Sequence, residues 1–232
     1  MSISLDEAVE LTRTGDLWVF RGRSMPDRAI QFTTNSPVNH VGMAVVLDDM
    51  PPLMWHAELG RSLPDMWTGS HQRGVQLHDL RDAVCVWANR YGQRAWLRQL
   101  DPPADPAMEE AVLRTVARLD GTPFPSTAQL AWRWARGRVP ELRRRGWSGA
   151  DRGAPAEGDR SGADRVVPVR DRALETAYCA EVVAVTYEAM GLLPAGRRPN
   201  WYDPGRFWSG DDLDLTGGAQ LGAEIEVRIP PR

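Results

Sequence analysis

The residue best suited to nucleophilic chemistry is Cys179, which lies in the run Tyr178-Cys179-Ala180-Glu181-Val182-Val183. Apolar residues recur downstream at helical spacing, and Gly191 stands where a left-handed residue would end a helix. Thr176 is suited to cap the start of this helix, which puts Cys179 in its first turn. Free backbone N–H groups and the helix dipole stabilise a thiolate there, so we expect the pKa of the thiol to fall from about 8.5 into roughly the 3.5–7.5 range.

A base for this nucleophile is available in His40, within the run Asn39-His40-Val41-Gly42-Met43-Ala44-Val45-Val46. The β-branched content and the turn residues on both sides predict a strand. Alternation places His40 on the same face as Gly42 and Ala44, whose small side chains leave room for a second side chain or a substrate. A strand histidine is equally compatible with a structural role.

A third polar group comes from the next predicted strand, Leu53-Met54-Trp55-His56-Ala57-Glu58-Leu59. His56 and Glu58 share one face of it. If this strand pairs with that of His40, either side chain can accept a hydrogen bond from the His40 ring and hold the tautomer that a base needs. A solvated polar face on an edge strand is the alternative.

Three motifs together resemble the circularly permuted papain-fold cysteine hydrolases of the NlpC-like superfamily. The resemblance is to the YiiX-type branch and, more distantly, to lecithin–retinol acyltransferase. It spans nearly the whole chain and rests on Gly15-Asp16-Leu17-Trp18-Val19-Phe20, Asn39-His40-Val41-Gly42-Met43 and Tyr178-Cys179-Ala180-Glu181-Val182-Val183.

The resemblance implies a role for each candidate residue. Cys179 is the implied nucleophile and His40 the general base. His56 stands where YiiX-type relatives have glutamate, with Glu58 as the fallback third residue, and Tyr178 is a candidate for shaping the oxyanion site. The implied fold class is α+β, a permuted papain-like arrangement with a mostly antiparallel sheet and the nucleophile helix packed on one face.

The function expected from this resemblance is hydrolysis of an amide, peptide or ester bond through a Cys179 thioester. Two alternatives stay open: a lipid-directed acyltransferase that uses the same residues, and a catalytically inactive papain-like binding module. The expected substrate is a small molecule, a peptide or an acyl lipid.

The composition fits one enzyme domain over 1–232, since 232 residues with 42% hydrophobic content can bury one sizeable core. A net charge of −3 does not favour nucleic acid as a partner. All basic residues are arginine, which excludes a catalytic lysine. Two cysteines do not suggest a disulfide framework, and no apolar leader or membrane-spanning run is present, so a cytoplasmic location is expected.

The predicted elements alternate strands and helices in an α+β order. The apolar run Ala83–Ala88 is read as a buried strand, which makes Cys85 a core residue. The other predicted elements are helices at Leu5–Thr12, Pro106–Leu119 (with Asp105 as N-cap) and Ser126–Arg136, a turn at Asp27–Phe32, and strands at Asp16–Arg21, Val38–Leu47, Leu53–Leu59 and Gly74–Leu80.

A flexible insertion is predicted at 138–171, because Gly, Ala, Asp, Arg and Ser dominate it and offer almost nothing to bury. A lid over the active site and a surface loop without a role are both open. Tryptophans interleaved with arginines just before and within this segment leave peripheral membrane contact open, although burial in the core gives the same pattern. The aromatic residues Trp201, Tyr202, Phe207 and Trp208 follow the nucleophile helix and are candidates for lining an apolar groove.

Metal binding is a minor alternative. His40, His56 and Cys179 could ligate zinc with His71 or His78 as a fourth ligand, but no metal-ligand spacing motif is present. His71 and His78 are read as exposed, and no cofactor or metal is expected.

Overall fold

A computed structural model describes residues 2–22, 37–58, 60, 62–122, 179–197, 201–209 and 213–231. Its centre is a seven-stranded sheet in the order β1-β9-β6-β2-β3-β4-β5. Neighbouring strands are antiparallel except for β1 and β9, which are parallel. The expected α+β class with a mostly antiparallel sheet is confirmed.

The strands of the main sheet are short, and two further strands form a separate ribbon. The main strands are β1 (Ser2–Ser4), β2 (Leu17–Arg21), β3 (His40–Val45), β4 (Leu53–Glu58), β5 (Gly74–Asp79), β6 (Arg94–Arg98) and β9 (Ile225–Arg228). The ribbon pairs β7 (Leu100–Asp101) with β8 (Gln220–Leu221). The helices are α1 (Leu5–Leu11), α2 (Leu80–Tyr91), α3 (Pro106–Leu119) and α4 (Cys179–Ala189), with a 3₁₀ turn at Pro204–Phe207.

Two apolar clusters cover opposite faces of the sheet. On the first, here called the cysteine face, α4 packs across β3 and β4 and α3 packs against α4. On the second, the histidine face, α1 and α2 pack together over the sheet. The alternation of each strand sends Val41 and Met43 of β3 to the cysteine face and Ala44 to the histidine face.

Local sequence signals set the ends of the helices. Ser4 and Glu7 form a capping box at α1, and the Asp105 side chain accepts the N–H of Met108 with Pro106 in the first turn of α3. Gly191 has φ +78° directly after α4, as its position in the sequence predicts. Each of these devices satisfies backbone groups that a helix end leaves unpaired.

The predicted strand Ala83–Ala88 is wrong, because these residues lie in the middle of α2. The Asp79 side chain caps this helix, and Gly92 ends it in a left-handed conformation with φ +63°. A short apolar run does not distinguish a buried strand from a buried helix, and here the caps on either side decide for the helix. Burial of Cys85 is confirmed, on the histidine face.

Several strands escaped the sequence reading. β6 lies inside the sheet between β9 and β2, and β9 pairs the C-terminal part of the chain with β1. The predicted turn Asp27–Phe32, the helix Ser126–Arg136, the cap Thr176 and the insertion 138–171 lie outside the described residues.

Candidate functional site

His40 is the first residue of β3, and its ring lies on the histidine face. Phe20 on the neighbouring strand β2 is paired with His40, and the centroids of the two rings are 5.8 Å apart. A Cβ at Gly42 would clash with Met54 and come within 3.4 Å of the His56 Cβ. A glycine at position 42 therefore lets the side chains of β4 lie close beneath β3.

The condition that the His40 and His56 strands pair is met, with Met43 opposite Trp55. His40 Nε2 lies 3.3 Å from His56 Nδ1. Glu58, the fallback third residue, instead accepts hydrogen bonds from the Ser62 hydroxyl and backbone N–H. The structure therefore brings His56 to His40, and no described hydrogen bond joins Glu58 to His40.

The sequence reading missed two residues that extend this pair. His56 Nε2 lies 3.1 Å from His78 Nδ1, and His78 Nε2 lies 3.2 Å from Gln76 Oε1. The prediction that His78 is exposed is wrong, because β5 pairs with β4 and the side chain is fully buried. The alternation of Gln76 and His78 along β5 was the available signal, but only the pairing with β4 shows that these side chains reach His56.

An apolar cover keeps the imidazoles neutral. The Trp87 ring stands edge-on to His40 at 5.1 Å and to His56 at 4.9 Å. Burial lowers the pKa of His40 to about 4, and it lowers the pKa of His56 well below its usual range. The pKa of His78 is also lowered by burial, although the nearby carboxylates of Glu58 and Asp65 oppose the shift.

Cys179 is the first residue of α4 and is buried on the cysteine face. Burial raises the pKa of its thiol to about 12, although the backbone N–H groups of Val41, Ala180 and Cys179 itself act in the opposite direction. The expected thiolate with a lowered pKa is therefore wrong for this structure. The helix start and the amides stabilise the thiolate, but the loss of solvation destabilises it by more.

The Cys179 thiol and the His40 ring lie on opposite faces of the sheet, near the start of β3. The N–H of Val41, which follows His40 directly, faces the Cys179 sulfur. The His40 ring leaves the same strand toward Phe20 and Trp87. Among the described hydrogen bonds, none joins Cys179 to His40, and none uses His40 Nδ1.

Other predicted site residues take different places. Tyr178 lies outside the described residues. Tyr202 and Phe207 are buried in the core of the cysteine face, where the partly buried Trp201 and Trp208 pack against it. These four aromatic residues therefore belong to the core around α4.

Within the described part of the chain, no group of three or more His, Cys, Asp or Glu side chains is arranged to hold a metal ion. The nitrogens that join the three histidines point at one another. The search for membrane spans, confined to the same residues, finds no helix with the length and apolar character to cross a bilayer.

The comparisons with known proteins give similarity in structure alone. No model of a protein family matches the sequence, and no curated protein matches it. A solved structure titled as metalloprotein YiiX from Escherichia coli O157:H7 superposes with a TM-score of 0.47 and 16% identity, over 93% of this chain and 88% of that one. A likeness of this extent assigns neither a family nor an activity.

Proposed function

We propose that the protein is a cysteine-dependent hydrolase of amide, peptide or ester bonds, with Cys179 as nucleophile and His40 as general base. The observation that carries the proposal is the position of the Cys179 sulfur against the N–H of Val41, the residue bonded to His40. His40 has its Nε2 held by His56 and its Nδ1 without a partner among the described residues. These positions, on the two sides of the start of β3, support the assignment of Cys179, His40 and His56 as nucleophile, base and orienting group.

In this mechanism the thiol reacts as a neutral group. A thiol with a pKa of about 12 is protonated at pH 7, and an imidazole with a pKa of about 4 is free to take a proton. The sulfur attacks the carbonyl carbon while its proton passes to His40 Nδ1, and the imidazolium then returns that proton to the leaving amine or alcohol. Water hydrolyses the thioester with His40 again acting as base.

Substrate binding has to bring the thiol and His40 Nδ1 into hydrogen-bond contact. Catalytic hydrogen bonds are often long or poorly aligned before substrate binds. The amides at the start of α4 are suited to hold the oxyanion, and one such donor contributes roughly 3–4 kcal/mol in measured enzymes.

The test uses p-nitrophenyl esters of rising chain length with mass spectrometry of the quenched enzyme. We expect release of p-nitrophenol and an acyl adduct on the peptide that contains Cys179. Cys179→Ala should lose both signals, and Cys85→Ala, the matched control, should keep both. An adduct on Cys85, or equal turnover by Cys179→Ala, would overturn the proposal.

The same assay separates the two alternatives. If turnover is slow in water and rises in proportion to an added amine or lysolipid, the protein is an acyltransferase. The raised pKa of the thiol and the missing contact with His40 favour an inactive binding module as the second candidate. Absence of both turnover and adduct with every ester would support that candidate.

A further inference from the structure

The hydrogen bonds that link His40, His56, His78 and Gln76 all run from donor to acceptor in one direction, and the Gln76 amide sets this direction. Gln76 Nε2 lies 3.2 Å from the carbonyl oxygen of Gln72 and 3.4 Å from that of Gly74. Carbonyl oxygens only accept hydrogen bonds, so the amide nitrogen must occupy this side. Gln76 Oε1 is then the atom that faces His78 Nε2, and His78 must donate to it.

This donor fixes the tautomer of each histidine in turn. In a neutral imidazole one ring nitrogen carries the proton and the other accepts. His78 carries its proton at Nε2, so its Nδ1 accepts from His56 Nε2. His56 Nδ1 then accepts from His40 Nε2, and His40 is left with a bare lone pair at Nδ1.

We infer that Gln76 and His78 are positioning residues that act through His56 to hold His40 in the tautomer with a lone pair at Nδ1. The catalytic meaning of this inference rests on the proposed cysteine hydrolase, because a base that carried its proton at Nδ1 could not accept one from Cys179. The tautomer itself follows from the hydrogen bonds alone.

The chain keeps this direction only while His78 is neutral. A protonated His78 would donate through both nitrogens and reverse the bonds to His56 and His40. Besides His56 and Gln76, the charged and polar groups that act on His78 are the carboxylates of Glu58 and Asp65, the carbonyl of Leu63 and the ring of His71. Burial outweighs the two carboxylates and keeps the pKa of His78 below its usual value.

The direct test is ¹⁵N NMR of the full chain labelled at histidine, at pH 7. We expect His40, His56 and His78 each to be protonated at Nε2 and bare at Nδ1, with the exposed His71 as the reference. A proton at Nδ1 of any of the three would overturn the inference, whatever the activity of the protein.

Variants then ask whether Gln76 sets the direction. In Gln76→Leu we expect each of the three histidines to lose its single tautomer. We also expect kcat to fall about threefold to tenfold with KM unchanged, a change that corresponds to the free energy of one hydrogen bond. Gln72→Ala is the matched control, because it removes a neighbouring amide and keeps the backbone carbonyl that Gln76 uses. Retention of one tautomer in Gln76→Leu would overturn the role of Gln76.

His78→Leu gives a second reading if Gln76→Leu does not fold. It should leave His56 Nε2 without an acceptor and mix the tautomers of His56 and His40. A single wild-type tautomer together with full activity of Cys179→Ala would support the positioning chain and overturn the hydrolase. Mixed tautomers in the wild type together with an inactive Cys179→Ala would overturn the positioning chain and support the hydrolase.

Discussion

The two faces of the sheet hold the candidate chemistry in opposite ways. On the histidine face, three imidazoles and one amide form a continuous hydrogen-bonded chain inside an apolar cover. On the cysteine face, one thiol lies among apolar side chains, with backbone amides at the sulfur and the Glu181 carboxylate near it among the described residues. The proposed base is therefore held by side chains, and the proposed nucleophile lies at a helix start.

The difference has a physical origin. Imidazoles can satisfy one another as neutral donors and acceptors, so burial lowers their pKa while the nitrogens that join them stay hydrogen-bonded. A buried thiol needs no such partner, and burial, together with the charge of Glu181, raises the pKa of Cys179. Both shifts make the neutral pair the ground state, and the reaction must create the charges.

The largest expected effect is the loss of the nucleophile. Cys179→Ala should lower kcat/KM by about ten-thousandfold or more, since the covalent intermediate cannot form. The thermal midpoint should stay nearly unchanged. Steady-state kinetics with a p-nitrophenyl ester and a thermal melt measure the two quantities. An equal loss of activity in Cys85→Ala, on the other face, would contradict the assignment of the reactive thiol to the cysteine face.

Removal of the orienting histidine should come next. His56→Ala should lower kcat about a thousandfold, within the range for acid–base groups, because His40 loses the acceptor that holds its tautomer. Glu58→Ala should cost less than about threefold, since Glu58 bonds to Ser62. The comparison is made from kcat values for one ester, and the opposite ranking would transfer the role to Glu58.

Acid should destabilise the histidine face. His40 has a folded pKa of about 4 against a usual value of 6.5, so the unfolded chain binds the proton first. Stability is therefore complete above pH 6.5 and falls as the pH drops from 6.5 toward 4, by about 3 kcal/mol for this residue. Urea unfolding at a series of pH values measures the loss.

Asp120 changes the stability in the opposite direction over the same pH range, because burial raises its pKa to about 6. The variant His40→Gln keeps Asp120 and therefore serves as the comparison. The difference between wild type and His40→Gln isolates the histidine. A difference that stays constant from pH 6.5 to 4 would contradict the lowered pKa of the partly buried His40. The pKa of His40 also predicts that kcat/KM falls as the pH drops through about 4, because the imidazole is then protonated.

The smallest effect tests how α4 is held on the cysteine face. Trp55 Nε1 donates to the Thr186 hydroxyl at 3.1 Å, which ties β4 to α4. A double-mutant cycle of Trp55→Phe and Thr186→Val should give a coupling of about 1 kcal/mol in urea unfolding. A coupling near zero would show that apolar packing alone holds the helix.

Much of the site follows from local patterns. Alternation assigned His40 and His56 each to a face of its own strand, and the pairing on which their contact depends is observed. The caps at Asp105 and Gly191 located two helix ends. The same reasoning failed at Ala83–Ala88, where a short apolar run fits both a strand and a helix.

The sequence by itself determined which residue types could act as nucleophile, base and orienting group, because periodicity along each element assigns a side chain to a face. Only the tertiary structure decided that β5 lies beside β4 and brings His78 and Gln76 to His56. It also decided the pKa shifts of Cys179 and His40. Solvation and hydrogen-bond partners depend on residues far apart in the chain, and no local pattern records them.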